Sequence, residues 1–327
     1  MNSSRRRVLQ IACAGGLLSS AARSWPQQTD VARLLVGFPA GGTADTMCRR
    51  VAERLQPAYA KAVVVENKPG AGGQLAVQAL KSQPADGNSI LMTPMSMLGI
   101  YPHIYKKLPY DPVADLSPVS LGATFEFGLA VGPMVPASVT DVTGFLAWCK
   151  ANPDRASFGS PAAGSIPHFI GVLLGRAGNV PLTHVAYRGT GPALLDVTGG
   201  HLAAVSGLVG DLNAQTVGGK VRFLGVSGAT RNRFVPAVPT YAEQGFKDLV
   251  FNEWYGFYLP ADARPEAVSR LNTNLVQVLA HPDVIQGVAS MGLEAVSSTP
   301  GQLAERLQAD TRRWGPIVKS IGFTAES

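Results

Sequence analysis

Residues 36–50 read VGFPAGGTADTMCRR, and the fold is decided here. The apolar run LLVGF (34–38) stops at Pro39, Ala40, Gly41 and Gly42. Thr43 then opens a segment with Val51 and Leu55 at helical spacing and an acid, Asp45, near its start. The order is strand, glycine turn, helix. Such a turn lets backbone N–H groups at the helix start face an anion. No Gly-Lys-Ser/Thr follows, so it is not a nucleotide P-loop.

The unit recurs along the chain. AVVVEN (62–67) reads as a strand, 68–73 as a glycine turn and QLAVQALKSQ as a helix; SILMTP (89–94) is the next strand. FGLAVGP (127–133) is a strand, followed by a helix capped by Thr140 or Asp141 and stopped at Pro153. ASFGS (156–160) precedes a helix over 166–177, and LTHVAY (182–187) precedes one over 192–198. LAAVSG, VRFLGVSG and WYGFYLP are further strands. Helices over 265–279, 283–291 and 300–321 close the chain. Strands alternating with amphipathic helices predict an α/β fold with mostly parallel sheets. The pattern divides into two lobes with crossings near 124 and 228. Lobe 1 is 23–124 plus 229–327, lobe 2 is 125–228, and two connecting strands form a hinge.

The bulk composition agrees. The chain has 327 residues, a length suited to two domains. Apolar residues make up 46% and charged residues 15%, enough for a large core and too little charge for disorder. The formal charge is +6, but Arg5, Arg6 and Arg7 lie in an N-terminal segment that holds no acid. Without them 25 basic residues face 22 acidic ones, a balance of +3 with no basic run, which does not call for nucleic acid. Residues 1–22 read as an export signal: three arginines, the short apolar stretch IACAGGLL, then small residues. The arginines suggest twin-arginine export, with Sec export as the alternative. A periplasmic protein, soluble after cleavage, is expected. Cys48 and Cys149 are expected as buried thiols.

Three glycine-rich turns stand out: Pro39–Thr43, Gly159–Ser165 and Arg188–Gly191. Each joins a strand to a helix, and in parallel sheets such turns lie at the carboxyl edge, where ligands bind. Helix starts offer unpaired N–H groups and partial positive charge, and Thr43, Ser160, Ser165 and Thr190 add hydroxyls. This suits a small anion such as a carboxylate. Glycine turns are also ordinary connectors in α/β folds; three of them, spread over both lobes and two with flanking hydroxyls, balance that reading against a site. Enzyme chemistry finds little support. There is no Gly-x-Ser-x-Gly elbow, and the five histidines show no metal-ligand spacing. No cofactor is implied. Ser165 and His168 are three residues apart at a helix start, where a cap and a pocket-lining ring explain them better than a nucleophile and its base.

The run VGFPAGGTAD resembles the opening turn of the Bug family, periplasmic solute receptors of tripartite tricarboxylate transporters. The likeness continues through VVVENKPGAGGQLA, YPHIYKKLPYDPVADLSPVS, FGSPAAGSIPHF, HVAYRGTGPALLDVTGGH, GGKVRFLGVSGATR and WYGFYLPADARP, nearly the whole chain after the leader. It implies a two-lobe, type II periplasmic-binding fold closing on a small carboxylate: a dicarboxylate, tricarboxylate or aromatic acid. It also implies a membrane permease as partner and a monomeric receptor. Family contacts carry onto Phe38, Ala40, Gly41, Gly42, Thr43 and Asp45 in the first turn. They carry onto Ser160, Ala163, Gly164, Ser165 and His168 in the second, and Tyr187, Arg188, Gly189 and Thr190 in the third. Asp45 is either a group that orients water or a ligand donor, or a first-turn acid favouring the helix dipole. Two departures bear on the ligand. Gly207 stands where relatives place a pocket-facing acid, which would leave room. The run TPMSM, with Met95, is more apolar than usual. Both suggest a larger or more apolar acid. The alternatives are a sensor receptor docking on a membrane signalling partner and, further off, a secreted α/β hydrolase using Ser165 and His168.

Overall fold

The computed structural model describes residues 29–216 and 218–325; the expected export segment lies outside them. The first lobe begins with β1 (Thr29–Val36), α1 (Thr43–Leu55), β2 (Ala60–Asn67), α2 (Gln74–Lys81) and β3 (Ser89–Pro94). β1 pairs in parallel with β2 on one side and β3 on the other. A wide turn (Ser96–Ile100) and the short α3 (Tyr101–Ile104) lead to β4, a continuous strand from Leu116 to Val131.

β4 serves both lobes. From Leu116 to Glu126 it pairs with β9 (Asn252–Pro260); from Phe127 onward it pairs with β7 and β8. The second lobe contains α4 (Val142–Ala151), β5 (Ser157–Ser160), α5 (Ile166–Ala177), β6 (Thr183–Ala186), α6 (Thr190–Thr198), β7 (Ala204–Leu208), α7 (Val209–Thr216) and β8 (Arg222–Val226). β5 lies between β6 and β7, parallel to both. After β9 come α8 (Pro265–Leu279), α9 (Pro282–Ala289), β10 (Glu294–Ala295) and α10 (Pro300–Ile321).

The expectation of mostly parallel sheets holds on the two flanks and is corrected in the middle. β3–β9, β9–β4, β4–β7, β4–β8 and β4–β10 are all antiparallel. The chain leaves the first lobe along β4 and returns along β9, so neighbouring strands run in opposite directions. Only FGLAVGP of β4 reads as strand in the sequence. Its first half carries Pro118 and register shifts at 118–120 and 121–123, which break the period-2 signal.

Helix starts follow the expected rules. Asp141 caps α4 through Gly144 N–H, Ser165 caps α5, and Thr299 with Gln302 forms a capping box on α10. Cys48 and Cys149 are buried free thiols.

Ser227 ties the crossing strands together. Its N–H donates to Phe127 O at 2.8 Å, its Oγ accepts from Phe127 N at 3.0 Å and donates to Phe251 O at 2.6 Å, and the Phe251 N–H returns to Ser227 O at 2.8 Å. Ser227→Ala strands a buried N–H and a buried carbonyl. It is expected to cost about 2–4 kcal/mol, read as a lower midpoint in chemical denaturation. A change below half a kcal/mol would show that the crossing does not depend on this hydroxyl.

Candidate ligand-binding cleft

The carboxyl ends of β1, β3, β5, β6 and β7 put their turns along the junction where β4 changes partners. In the first turn Gly41 adopts φ +81°, open to glycine and strained for other residues. Its N–H donates to Asp45 Oδ2 at 2.9 Å. Arg49 Nε donates to the same oxygen at 2.9 Å, and Asn67 Nδ2 to Oδ1 at 2.9 Å. Asn67 also donates to Phe38 O at 3.0 Å. Burial alone would raise the Asp45 carboxyl; the bonds from Arg49, Gly41 and Asn67 outweigh it and hold the group below its ordinary range. Asp45 is 2% exposed and both its oxygens are engaged, so it shapes the turn. Pro39, Ala40, Gly41 and Gly42 remain exposed. Gly42 caps α1 without a side chain, leaving the first-turn N–H groups open to a ligand.

Thr43 reaches across the cleft. Its Oγ1 donates to Asp211 Oδ1, in the first turn of α7, at 2.7 Å. Nearby, a Cβ built on Gly210 would overlap the Met291 carbonyl, so the backbones of α7 and the α9–β10 turn touch directly. Farther along, Arg176 of α5 donates to Ser320 O at 2.7 Å and Ile321 O at 2.6 Å at the end of α10. Gly164 packs against Ile104.

The second and third turns form one unit. Tyr187 N–H donates to Ser160 O at 2.9 Å and Gly189 N–H to Pro161 O at 3.0 Å. Gly164 (φ +75°) donates its N–H to His168 Nδ1 at 3.0 Å, which assigns the ring proton of neutral His168 to Nε2. His168 stacks on His184 with ring centroids 3.8 Å apart, and His184 Nε2 meets Ser160 Oγ at 2.7 Å. Burial, reinforced by His184, lowers His168 to about 3; burial lowers His184 to about 4. Both rings are neutral at pH 7. Tyr187 is pushed up to about 12 by burial and by Asp196, which accepts its hydroxyl proton at 2.6 Å. Arg188 and Ala163 are exposed, Gly189 takes φ +103°, and Thr190 is buried.

Several expectations change on this geometry. Ser165 Oγ donates to Ala162 O at 2.7 Å and caps the His168 backbone N–H at 3.5 Å, while the His168 ring is held by Gly164; the hydroxyl and ring do not pair as nucleophile and base. The Gly164 N–H and the His168 Nδ1 satisfy each other. Gly207 leaves no room for a ligand: its missing Cβ would lie 2.6 Å from the Thr190 methyl. Met95 is buried, its sulfur 2.9 Å from the position of a Gly99 Cβ, and Met97 accepts from Thr93 Oγ1 at 3.0 Å. These methionines fill the core around the wide turn, so neither departure argues for a larger ligand. Among the described residues no hydrogen bond links the first glycine turn to the second or third; its cross-cleft partner is α7.

The sequence reading missed Asp211, Glu253 and Tyr255. Glu253 stands beside Phe125 where β4 changes partners and takes Ser96 N–H on Oε1 at 2.9 Å. A lone acid in the apolar strand NEWYGFYLP was its available signal.

Two α/β lobes that share a strand, with glycine-turn helix starts along the cleft between them, define the class of periplasmic binding proteins. The chain belongs to the tripartite tricarboxylate transporter family of receptors, whose family model matches residues 47–323. It is 31% identical over 333 residues to the UPF0065 protein in the tcbD-tcbE intergenic region of Pseudomonas sp. (strain P51), covering 99% of this chain and 96% of that one. It is 30% identical to Protein BugT of Bordetella pertussis, covering 95% of each. Among solved structures, the periplasmic binding protein BugD superposes with a TM-score of 0.83 at 27% identity, over 92% of this chain and 100% of that one. R. palustris Rpa4515 with adipate gives 0.85 at 27%, over 92% and 99%. MatC from Rhodopseudomonas palustris with bound malate gives 0.80 at 26%, over 90% and 99%.

Proposed function

We propose that this receptor captures a small carboxylate between its lobes in the periplasm and delivers it to a membrane permease of the tripartite tricarboxylate type. The observation that carries this reading is the set of open helix starts, α1 on one lobe and α6 on the other, lining a cleft bridged by Thr43 and Asp211. Charge-assisted hydrogen bonds from preorganised N–H groups contribute about 1.5–3 kcal/mol each. Relatives with adipate and malate support the ligand class. Phe38 to Thr43 and Tyr187 to Thr190 are the proposed contacts, with Arg188 as the cation; Ser160, Ser165 and His168 support the second turn. We place the lobe division along β4 and β9, residues 29–126 with 252–325 and 127–251, which moves 229–251 from the expected first lobe to the second; Tyr241 and Gln244, which bond Val226 and Leu224 of β8, support this. Export through residues 1–22 and a monomeric state complete the proposal.

Ligand is expected to shift the population toward the compact form. Mass spectrometry of small molecules released from freshly purified protein should recover a carboxylic acid. Adding that acid back should reduce the radius of gyration in solution scattering. Recovery of no acid, with no compaction by any acid in a screen, would sink the reading.

A further inference from the structure

A buried carboxylate, Glu253, stands where the shared strand β4 changes partners. Glu253 is 4% exposed, and its position is set by two registers. It lies opposite Phe125, two residues before β4 turns to its second set of partners at Phe127, and it receives the N–H of Ser96, just past the carboxyl end of β3. That N–H is a backbone donor at the carboxyl edge of the first lobe, the kind of group that would otherwise receive a ligand carboxylate. Glu253 already occupies it. Asp310 from α10, Tyr101 from α3 and Tyr255 from β9 lie around Glu253, and a cation beside them, Arg306, pairs with Asp310 at 3.9 Å and has no ion pair with Glu253 among the described residues. Burial pushes Glu253 up to about 7, the Ser96 bonds oppose this, and Asp310 adds to it.

Tyr255 is a second, independent sign. It is 5% exposed, its ring lies 4.7 Å from that of Phe125, and its hydroxyl has no hydrogen-bond partner among the described residues. Burial, then Glu253 and Asp211, push the phenol up, so it remains a neutral group able to donate and accept. Tyr241 and Tyr258 carry sealed phenol oxygens without a partner among the described residues; that of Tyr255 is not sealed, so it stays open to solvent or to a ligand. Asp211 adds a second acid, bonded through Oδ1 to Thr43. Across the cleft, Arg188 on the third turn is exposed and makes no ion pair among the described residues.

We infer that Glu253 and Tyr255 form a donor-seeking subsite, which selects a monocarboxylate whose other end carries an ammonium or hydroxyl group over a dicarboxylate or tricarboxylate. The inference rests on the carboxylate-capture reading above. The ligand's carboxylate lies toward Arg188 and the α6 start; its donor end gives a proton-bearing N or O to the free lone pairs of Glu253 and to Tyr255. A second ligand carboxylate would face Asp211 and, at Glu253, either a like charge or the cost of protonating the acid.

Calorimetric titration with matched acids tests this: β-alanine against malonate, 4-aminobutyrate against succinate, and 6-aminohexanoate or 6-hydroxyhexanoate against adipate. At whichever chain length binds, the donor-bearing acid should bind at least about tenfold tighter than the diacid. Glu253→Gln keeps the shape and should narrow that ratio to about threefold or less. Tyr255→Phe should weaken the donor-bearing acid about threefold to tenfold while leaving the melting temperature unchanged or higher; it carries the test if Glu253→Gln fails to fold. A wild-type preference for the diacid, or a ratio untouched by both substitutions, overturns the inference and leaves carboxylate capture standing. No binding by any member overturns capture and this inference together.

Discussion

Gly210→Ala is expected to lower affinity for the recovered acid by about 100-fold. Gly210 sits at the second position of α7 and faces the Met291–Gly292 backbone, which belongs to the turn before β10. Gly292 takes φ +72°, and a Cβ placed on it would in turn lie 2.5 Å from Gly210 Cα. The two backbones therefore meet with no side chain between them. A methyl at 210 has no rotamer to escape through, and the carbonyl it meets is fixed by the chain. Overpacking of this kind costs about 1–3 kcal/mol, and the upper end applies when the neighbour is backbone. About 3 kcal/mol is roughly two decades in binding. The cost falls on the arrangement in which these two backbones touch, and a small opening of the lobes relieves it. Scattering of the variant with ligand should stay near the wild-type apo radius, with the melting temperature of the apo protein lowered only slightly. Unchanged affinity would show that α7 and the α9–β10 turn do not bear on closure.

The His168–His184 stack should make the protein acid-sensitive. The sign follows from the lowered values. Both rings are neutral in the fold down to about pH 4, whereas in the unfolded chain they take up protons below about 6.5. The unfolded state then binds more protons, so stability falls with pH from about 6.5 to about 4 and levels off below the folded values. Above pH 7 the pair contributes no slope. Between pH 7 and 5 each ring costs about 2 kcal/mol; part solvent exposure of His184 brings the sum to about 3 kcal/mol. Denaturant midpoints across this range should fall accordingly, and His184→Gln, which retains a partner for Ser160, should remove about half the slope. An identical slope in the variant would assign the acid sensitivity to other groups.

This pair also shows where sequence reading stops. His168 was legible as a helix-start residue, but its stacking on His184 depends on β5 and β6 being parallel neighbours, with Phe158 opposite His184. Gly207 looked like vacated space until Thr190 proved to fill it. Thr43 was legible as a hydroxyl at a helix start; its partner Asp211, 168 residues later, was not. Glu253 went unread although it is a lone acid in an apolar strand, and nothing local indicates that Ser96 N–H is its partner.

The chain alone determined the strand–turn–helix units, the caps at Thr140 or Asp141 and at Ser165, and the glycine turns, because period, capping and positive φ are local properties written over a few residues. Only the tertiary structure decided that β4 runs unbroken through both lobes, that Asp45 serves its own turn, and that Glu253 takes the Ser96 N–H. Those outcomes depend on which distant groups meet, and burial and hydrogen-bond satisfaction are settled by that meeting rather than by spacing along the chain.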